Sequence, residues 1–176
     1  MSGPEISYRI DAMHEGELPF VLRSWARSAR LAPKNLRMPR EAHYMWQRDL
    51  IDRILGRGAL VLVARDEDQP VYLYAFLVAE RVEDALVVHF AFTRRDWRGQ
   101  GLARALLGEA IERLGEGASE LQYTHSADRV VDASAEERAR TGQRSKVDTG
   151  LTRWLERTGF AKVDVEELLR GDREAA

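Results

Sequence analysis

The stretch from Leu86 to Leu114 limits the fold most, because it joins an uninterrupted apolar strand, a turn holding two glycines and a long amphipathic helix. Leu86, Val88, Phe90 and Phe92 are expected on one face of the strand and Val87, His89, Ala91 and Thr93 on the other. So few polar groups interrupt either face that both must be covered. That pattern describes a central strand. After Thr93 to Trp97 comes Arg98-Gly99-Gln100-Gly101-Leu102-Ala103, and then Leu102, Leu106, Leu107, Ala110, Ile111 and Leu114 form one apolar stripe on a helix. The glycines therefore precede a helix N-terminus. Unpaired amides, the positive end of the helix dipole and a backbone that a ligand can approach closely together bind phosphate there. Arg98 adds a guanidinium able to fork onto an anion.

Size bounds the rest. With 176 residues, 44% of them hydrophobic, the chain suffices for one domain with a proper core, taken as 1–176. A net charge of −2 and a pI near 6.1 give no overall case for nucleic acid or an anionic membrane. The absence of cysteine removes disulfides, thiolate catalysis and cysteine-ligated metals. His14, His43, His89 and His125 lack metal-ligand spacing, so no metal is expected. Met1 to Ile10 has no basic start followed by an apolar run, and no segment approaches the roughly 20 apolar residues of a membrane span. A cytoplasmic protein without membrane contact is the expectation.

Flanking the opening unit, helical and extended patterns alternate. Ile6 to Ile10 alternates as a half-exposed strand, and Glu17 to Ala29 carries Leu18, Val21, Leu22, Trp25, Ala26 and Ala29 at helical spacing, with Pro19 tolerated in the first turn. Arg30 to Glu41 holds two prolines and several cations and reads as an irregular basic loop. A second helix is expected over about His43 to Leu55, closed by Gly56 and Gly58. Ala59 to Arg65 and Val71 to Glu80 read as a hairpin around Asp66-Glu67-Asp68-Gln69-Pro70. Beyond the glycine-loop helix, Leu121 to His125 reads as a strand reached by a crossover, which implies parallel pairing. Arg129 to Lys146 is a charged insertion: a solvated excursion, or else a lid, an acceptor-binding loop or a homodimer contact. Gly150 to Thr158 predicts a short helix stopped by Gly159, followed by a strand over Phe160 to Val165 and a polar tail over Leu168 to Ala176.

The Arg98-x-x-Gly101-x-Ala103 pattern between an apolar strand and an amphipathic helix resembles the pyrophosphate-binding loop of the GNAT (GCN5-related N-acetyltransferase) superfamily. Glycine-rich turns before helices also arise for packing alone. The match gains weight from the order of elements and from Trp154-Leu155-Glu156-Arg157-Thr158-Gly159-Phe160, which is similar to the short helix ending in Gly-Phe under the cofactor's far end in that family. The charged insertion lengthens the separation of the two. The resemblance covers nearly the whole chain and implies an α/β (α+β) fold. Its central sheet would be mixed and mostly antiparallel, flanked by helices, with a parallel pair splayed at the cofactor cleft. It implies acetyl-CoA (coenzyme A) as donor. Main-chain groups of Phe92, Thr93 and Arg94 would lie beside the pantetheine, with Arg98, Gly99, Gln100, Gly101, Leu102 and Ala103 around the pyrophosphate.

An amine must be neutral to attack a thioester, yet a free alkylamine is almost wholly protonated at neutral pH, so a base has to take a proton. His89, mid-strand before the glycine loop, is the leading candidate, and its position looks like that of a strand histidine of arylalkylamine N-acetyltransferases. The other reading is a core histidine bonded to a neighbouring strand. Where histone-type members carry a catalytic glutamate, this chain has Ala85, with Glu83 and Asp84 close by in an expected turn. Many members protonate the leaving thiolate with a tyrosine on the short C-terminal helix, and that position is Leu155. Tyr123 and His125, with Ser126 behind them, are the candidates to substitute, and each also has a structural reading.

The acceptor is the open part of the sequence. By family analogy the loop from Leu31 to His43, with Tyr44, borders it, and Arg30, Lys34, Arg37 and Arg40 would favour an anion-bearing acceptor. The N-terminal half also resembles a loosely defined group of GNAT proteins of bacteriophages and their bacterial hosts, which would raise nucleobase or protein modification over metabolite chemistry. Three functions stand. The first is an acetyl-CoA-dependent N-acetyltransferase acting on a small-molecule or protein amine by direct attack. The others are a GNAT-like protein that modifies or binds nucleic acid, and a catalytically idle acyl-CoA-binding regulator.

Overall fold

A computed structural model describes residues 6–30, 37–124 and 150–174. The chain runs β1 (Tyr8–Ala12), α1 (Leu18–Arg30), α2 (Arg40–Gly56), β2 (Leu60–Asp66), β3 (Leu73–Val82) and β4 (Ala85–Thr93). It continues through α3 (Leu102–Leu114), β5 (Glu120–Tyr123), α4 (Gly150–Arg157), β6 (Ala161–Lys162) and α5 (Val165–Glu174). The six strands form one sheet in chain order. Pairing is antiparallel from β1 to β4 and parallel between β4 and β5 and between β5 and β6. This is the mixed α/β sheet expected from the sequence.

Both faces of the sheet are covered, which is why β3 and β4 are apolar throughout. On one face Leu77, Ala79, Leu86 and Val88 pack against Leu102, Leu106 and Leu107 of α3 and Leu155 of α4. On the other, Phe76, Val78 and Phe90 pack against Val21 and Trp25 of α1, Leu50, Ile51 and Ile54 of α2, and Leu169 of α5. Trp25 stacks on Phe90 with ring centroids 5.3 Å apart.

β4 departs from simple alternation. Val78 pairs with Phe90 but Ala79 pairs with Val88, so His89 is an extra residue with no partner on β3. Such a bulge shifts the alternation by one residue. Leu86 and Val88 therefore share the α3 face with Ala91, whereas Phe90 and Phe92 join the α1 and α2 face. The expected single row of Leu86, Val88, Phe90 and Phe92 is thus broken at its middle.

Other differences lie at element ends. β3 starts at Leu73 rather than Val71: Val71 is 93% exposed, and the Asp66 carboxylate accepts the amides of Asp68 and Gln69 and lengthens the turn. The last strand is only Ala161–Lys162. The expected polar tail is instead α5, because Asp164 accepts the amides of Glu166 and Glu167 as an N-cap would, Leu169 is buried against α1 and α2, and Glu166 pairs with Arg53. Ile111, expected on the apolar stripe, is exposed. Lys34, His125, Ser126 and the charged insertion lie outside the described residues.

Candidate active site

The glycine loop begins where β4 ends. The Arg94 amide donates to the Tyr74 carbonyl, a single 3-10 turn covers Arg95–Trp97, and Arg98 is extended. Gly99 and Gly101 then take φ of 82° and 79°, a region closed to most side chains. A Cβ on either would meet nothing within 4 Å, so conformation and not crowding demands glycine, and the space over the loop is open. The first bond into α3 runs from Ala105 to the Gly101 carbonyl, which leaves the amides of Leu102, Ala103 and Arg104 without a partner inside the helix. Leu102 anchors the helix start in the core, while Gln100 and Ala103 are half-buried. Arg98 is exposed and donates from Nε to the Thr93 carbonyl at 3.3 Å, which holds its guanidinium beside the loop.

The edge of β4 beyond Val88 leads to this loop. β5 pairs with β4 only from Ala85 to Val88, and the last contact is the Thr124 amide donating to the Val88 carbonyl at 3.0 Å. Beyond it, among the described residues, no strand pairs with that edge. Successive residues of a strand turn their main-chain groups to opposite edges. Since Arg94 and Phe92 face β3, Ala91 and Thr93 present theirs to the gap. The Phe92 ring packs on Phe20 and Phe76, and the Arg94 guanidinium lies between the rings of Phe20 (4.9 Å) and Tyr72 (4.7 Å) while donating to the Leu73 carbonyl. The side chains of Phe92 and Arg94 thus brace the α1 side.

At the inner end of the gap sits the bulged His89, only 1% exposed. Its Nδ1 lies 3.0 Å from Thr124 Oγ1 and its Nε2 2.8 Å from Glu80 Oε1, while Arg57 Nε lies 3.2 Å from the other Glu80 oxygen. A carboxylate oxygen only accepts hydrogen bonds, so Nε2 donates to Glu80, and in the neutral tautomer that this leaves Nδ1 accepts from the Thr124 hydroxyl. His89 is both a buried core histidine and the head of a polar chain. Tyr123 is fully buried, donates to Glu156 at 2.9 Å, and is pushed up to about 12 by burial and then by that carboxylate. Its hydroxyl serves the β5–α4 contact. Glu83 and Asp84 form the β3–β4 turn, where Asp84 accepts the Ser119 hydroxyl at 2.6 Å. Among the described residues no cluster of three or more His, Asp or Glu could hold a metal.

A sequence model described as the Acetyltransferase (GNAT) family matches residues 12–131, more than half of the chain. The chain belongs to the GNAT acetyltransferase family. Its fold is similar to that of a Pyrococcus furiosus protein described as a putative acetyl transferase, with 16% identity, a TM-score of 0.52, and coverage of 80% of this chain and 95% of that one. It is also similar to histone acetyltransferase HPA2 and related acetyltransferase from Corynebacterium glutamicum, with 16% identity, a TM-score of 0.50, and coverage of 61% and 72%. PaiA N-acetyltransferase from Thermoplasma acidophilum, solved in complex with coenzyme A, matches at 16% identity over 66% of this chain and 77% of that one, with a TM-score of 0.49. Identities this low speak for the fold alone. No curated protein matches the sequence.

In this GNAT chain the short helix α4 ends in a Schellman motif. Gly159 (φ 94°) donates to the Glu156 carbonyl and Phe160 to that of Leu155, with the Leu155 and Phe160 side chains both in the core. Leu155 is thus a packing residue. Among the described residues no helix is long and apolar enough to cross a membrane. Sequence reading missed Glu80, Arg57 and Thr124. One signal was available: a glutamate inside the apolar run Leu73 to Ala79 and Val82 has to be paired if that strand is buried.

Proposed function

We propose that this GNAT chain transfers the acetyl group of acetyl-CoA to an amine of a small molecule or protein by direct attack. One observation carries the reading: two left-handed glycines and a helix start whose first amides have no partner inside the helix follow, one turn on, a strand whose edge beyond Val88 has no paired strand among the described residues. Arg98 and the amides from Gly99 to Ala103 receive the pyrophosphate, and the main-chain groups of Ala91 and Thr93 receive the pantetheine as an added strand would. The thioester then comes to rest near the inner end of the gap, by His89 and Thr124. Arg37 and Arg40, exposed before and at the start of α2, favour an acceptor that carries an anionic group.

Ligand binding to the folded state stabilises it, by about 2.7 kcal/mol at a ligand concentration of about 100 times Kd. For a chain of this size that raises Tm by roughly 5–10 °C. Coenzyme A should produce such a shift in the wild type, and Arg98→Ala combined with Gly101→Glu should remove it while the unliganded protein still melts cooperatively. An undiminished shift in the double variant would sink the loop assignment.

A further inference from the structure

The chain from Thr124 through His89 and Glu80 to Arg57 is more than a set of satisfied core groups. Only Thr124 among the first three is partly exposed, and its amide makes the last described contact between β5 and β4. The other two are buried, at 1% and 5%. Replacing a buried ion pair such as Glu80 with Arg57 by apolar residues is often neutral or stabilising, so packing gives no reason for the glutamate or for the histidine bonded to it. Their order is that of a hydroxyl, an imidazole and an orienting carboxylate, a constellation recognised by geometry and roles rather than by fold.

We infer that Thr124 Oγ1 is the group that takes the acceptor's proton, with His89 as the base behind it and Glu80, held by Arg57, as the positioning residue. This rests on the acetyltransferase reading above. The neutral amine's nitrogen attacks the thioester carbon, and the C–N bond forms as the carbonyl π bond opens to an oxyanion. The nitrogen's proton passes to Thr124 Oγ1 as the hydroxyl proton passes to His89 Nδ1, and the imidazolium is stabilised through Nε2–H by the Glu80 carboxylate. When the tetrahedral intermediate collapses, the C–S bond breaks and the same proton returns through Thr124 to the departing thiolate. One relay therefore serves as base and then as acid. It also accounts for a chain that lacks a tyrosine at position 155 and a carboxylate at position 85.

The full-length wild type, Thr124→Val, Thr124→Ser and Glu80→Gln are compared in two measurements. The first is the thermal shift with coenzyme A. The second is thiol release from acetyl-CoA with water and with glycinamide as probe acceptors, followed across pH in light and heavy water. All four proteins should show the same shift. Thr124→Val should lower kcat about 100-fold with KM for acetyl-CoA unchanged, as expected for a lost acid–base group. Thr124→Ser should restore the rate and the solvent isotope effect, and Glu80→Gln should lower kcat with the donor KM retained. Wild-type rates in Thr124→Val, or a wild type that binds coenzyme A yet releases no thiol above buffer, overturns the relay. A wild type with no coenzyme A shift overturns the donor reading, and the relay with it.

Discussion

The glycine loop and the His89 network belong to one strand-and-loop unit, yet they are made of different materials. The loop is main chain: two positive-φ glycines, a helix start without partners, open space and one exposed arginine. The network is side chain, collected from the α2 end, β3, β4 and the end of β5, and buried at its centre, His89 and Glu80. A main-chain site tolerates side-chain change but not a change of backbone shape. A buried side-chain site tolerates neither loss of charge nor loss of a partner. Substitutions in the network should therefore cost stability, whereas those in the loop should cost chiefly ligand affinity.

The largest effect that would test this contrast is Glu80→Leu. It takes the Glu80 carboxylate away from Arg57 and from His89 Nε2, and removing one member of a buried pair costs about 3–5 kcal/mol. Differential scanning calorimetry should show Tm falling by roughly 6–20 °C. A fall of only a degree or two would mean that water reaches the network.

Leu155→Tyr comes next. Leu155 is 1% exposed in the α3-side core, so a larger ring with a hydroxyl should cost about 1–3 kcal/mol. It should bring no gain in thiol release, although it supplies the tyrosine that the family resemblance would place there. A faster variant would show that the position reaches the thioester after all.

Gly101→Ala tests the other side. Forcing a Cβ into the left-handed region costs about 1–2 kcal/mol, and nothing nearby clashes. Unfolding should shift slightly, while coenzyme A affinity measured by titration calorimetry should fall much further. Equal losses in both would erase the distinction between the two regions.

The pH dependence of stability gives the smallest effects. Tyr74 is pushed up to about 12, first by its hydrogen bond to Asp66, and Tyr123 to about 12, first by burial. Between an unfolded value of 10.0 and about 12 the folded chain keeps protons that the unfolded chain gives up, so stability is lost as pH rises through that window. Tyr123→Phe should make the fall shallower. On the acid side, burial lowers His43, helped by Arg30 and opposed by the Ala26 carbonyl. Below its ordinary value of 6.5 the unfolded chain takes up a proton that the folded chain resists, so stability declines as pH falls, and His43→Gln should flatten that arm. Chemical denaturation at each pH checks both.

The loop was legible because everything it needs is local: an apolar strand, Arg98, two glycines and a helical stripe all lie within one segment, and helix starts and left-handed turns have their own residue preferences. The α4 end was legible for the same reason, through Gly159 and Phe160. The start and fate of single elements were less so. Asp164 is a capping residue whose helix was hidden behind charged neighbours, and only the fit of Leu169 against α1 and α2 made α5 worth forming.

Sequence alone thus determined the class of fold, the family resemblance and the place of the glycine loop, since these follow from periodicity and from backbone preferences within a few turns of chain. Tertiary structure decided the surroundings of His89. The bulge that isolates it depends on the register between β3 and β4, Glu80 meets it only across that register, and Thr124 reaches it from the end of β5, a different strand. No local pattern records which residues of separate strands face one another, because that is set when the whole sheet buries both of its faces.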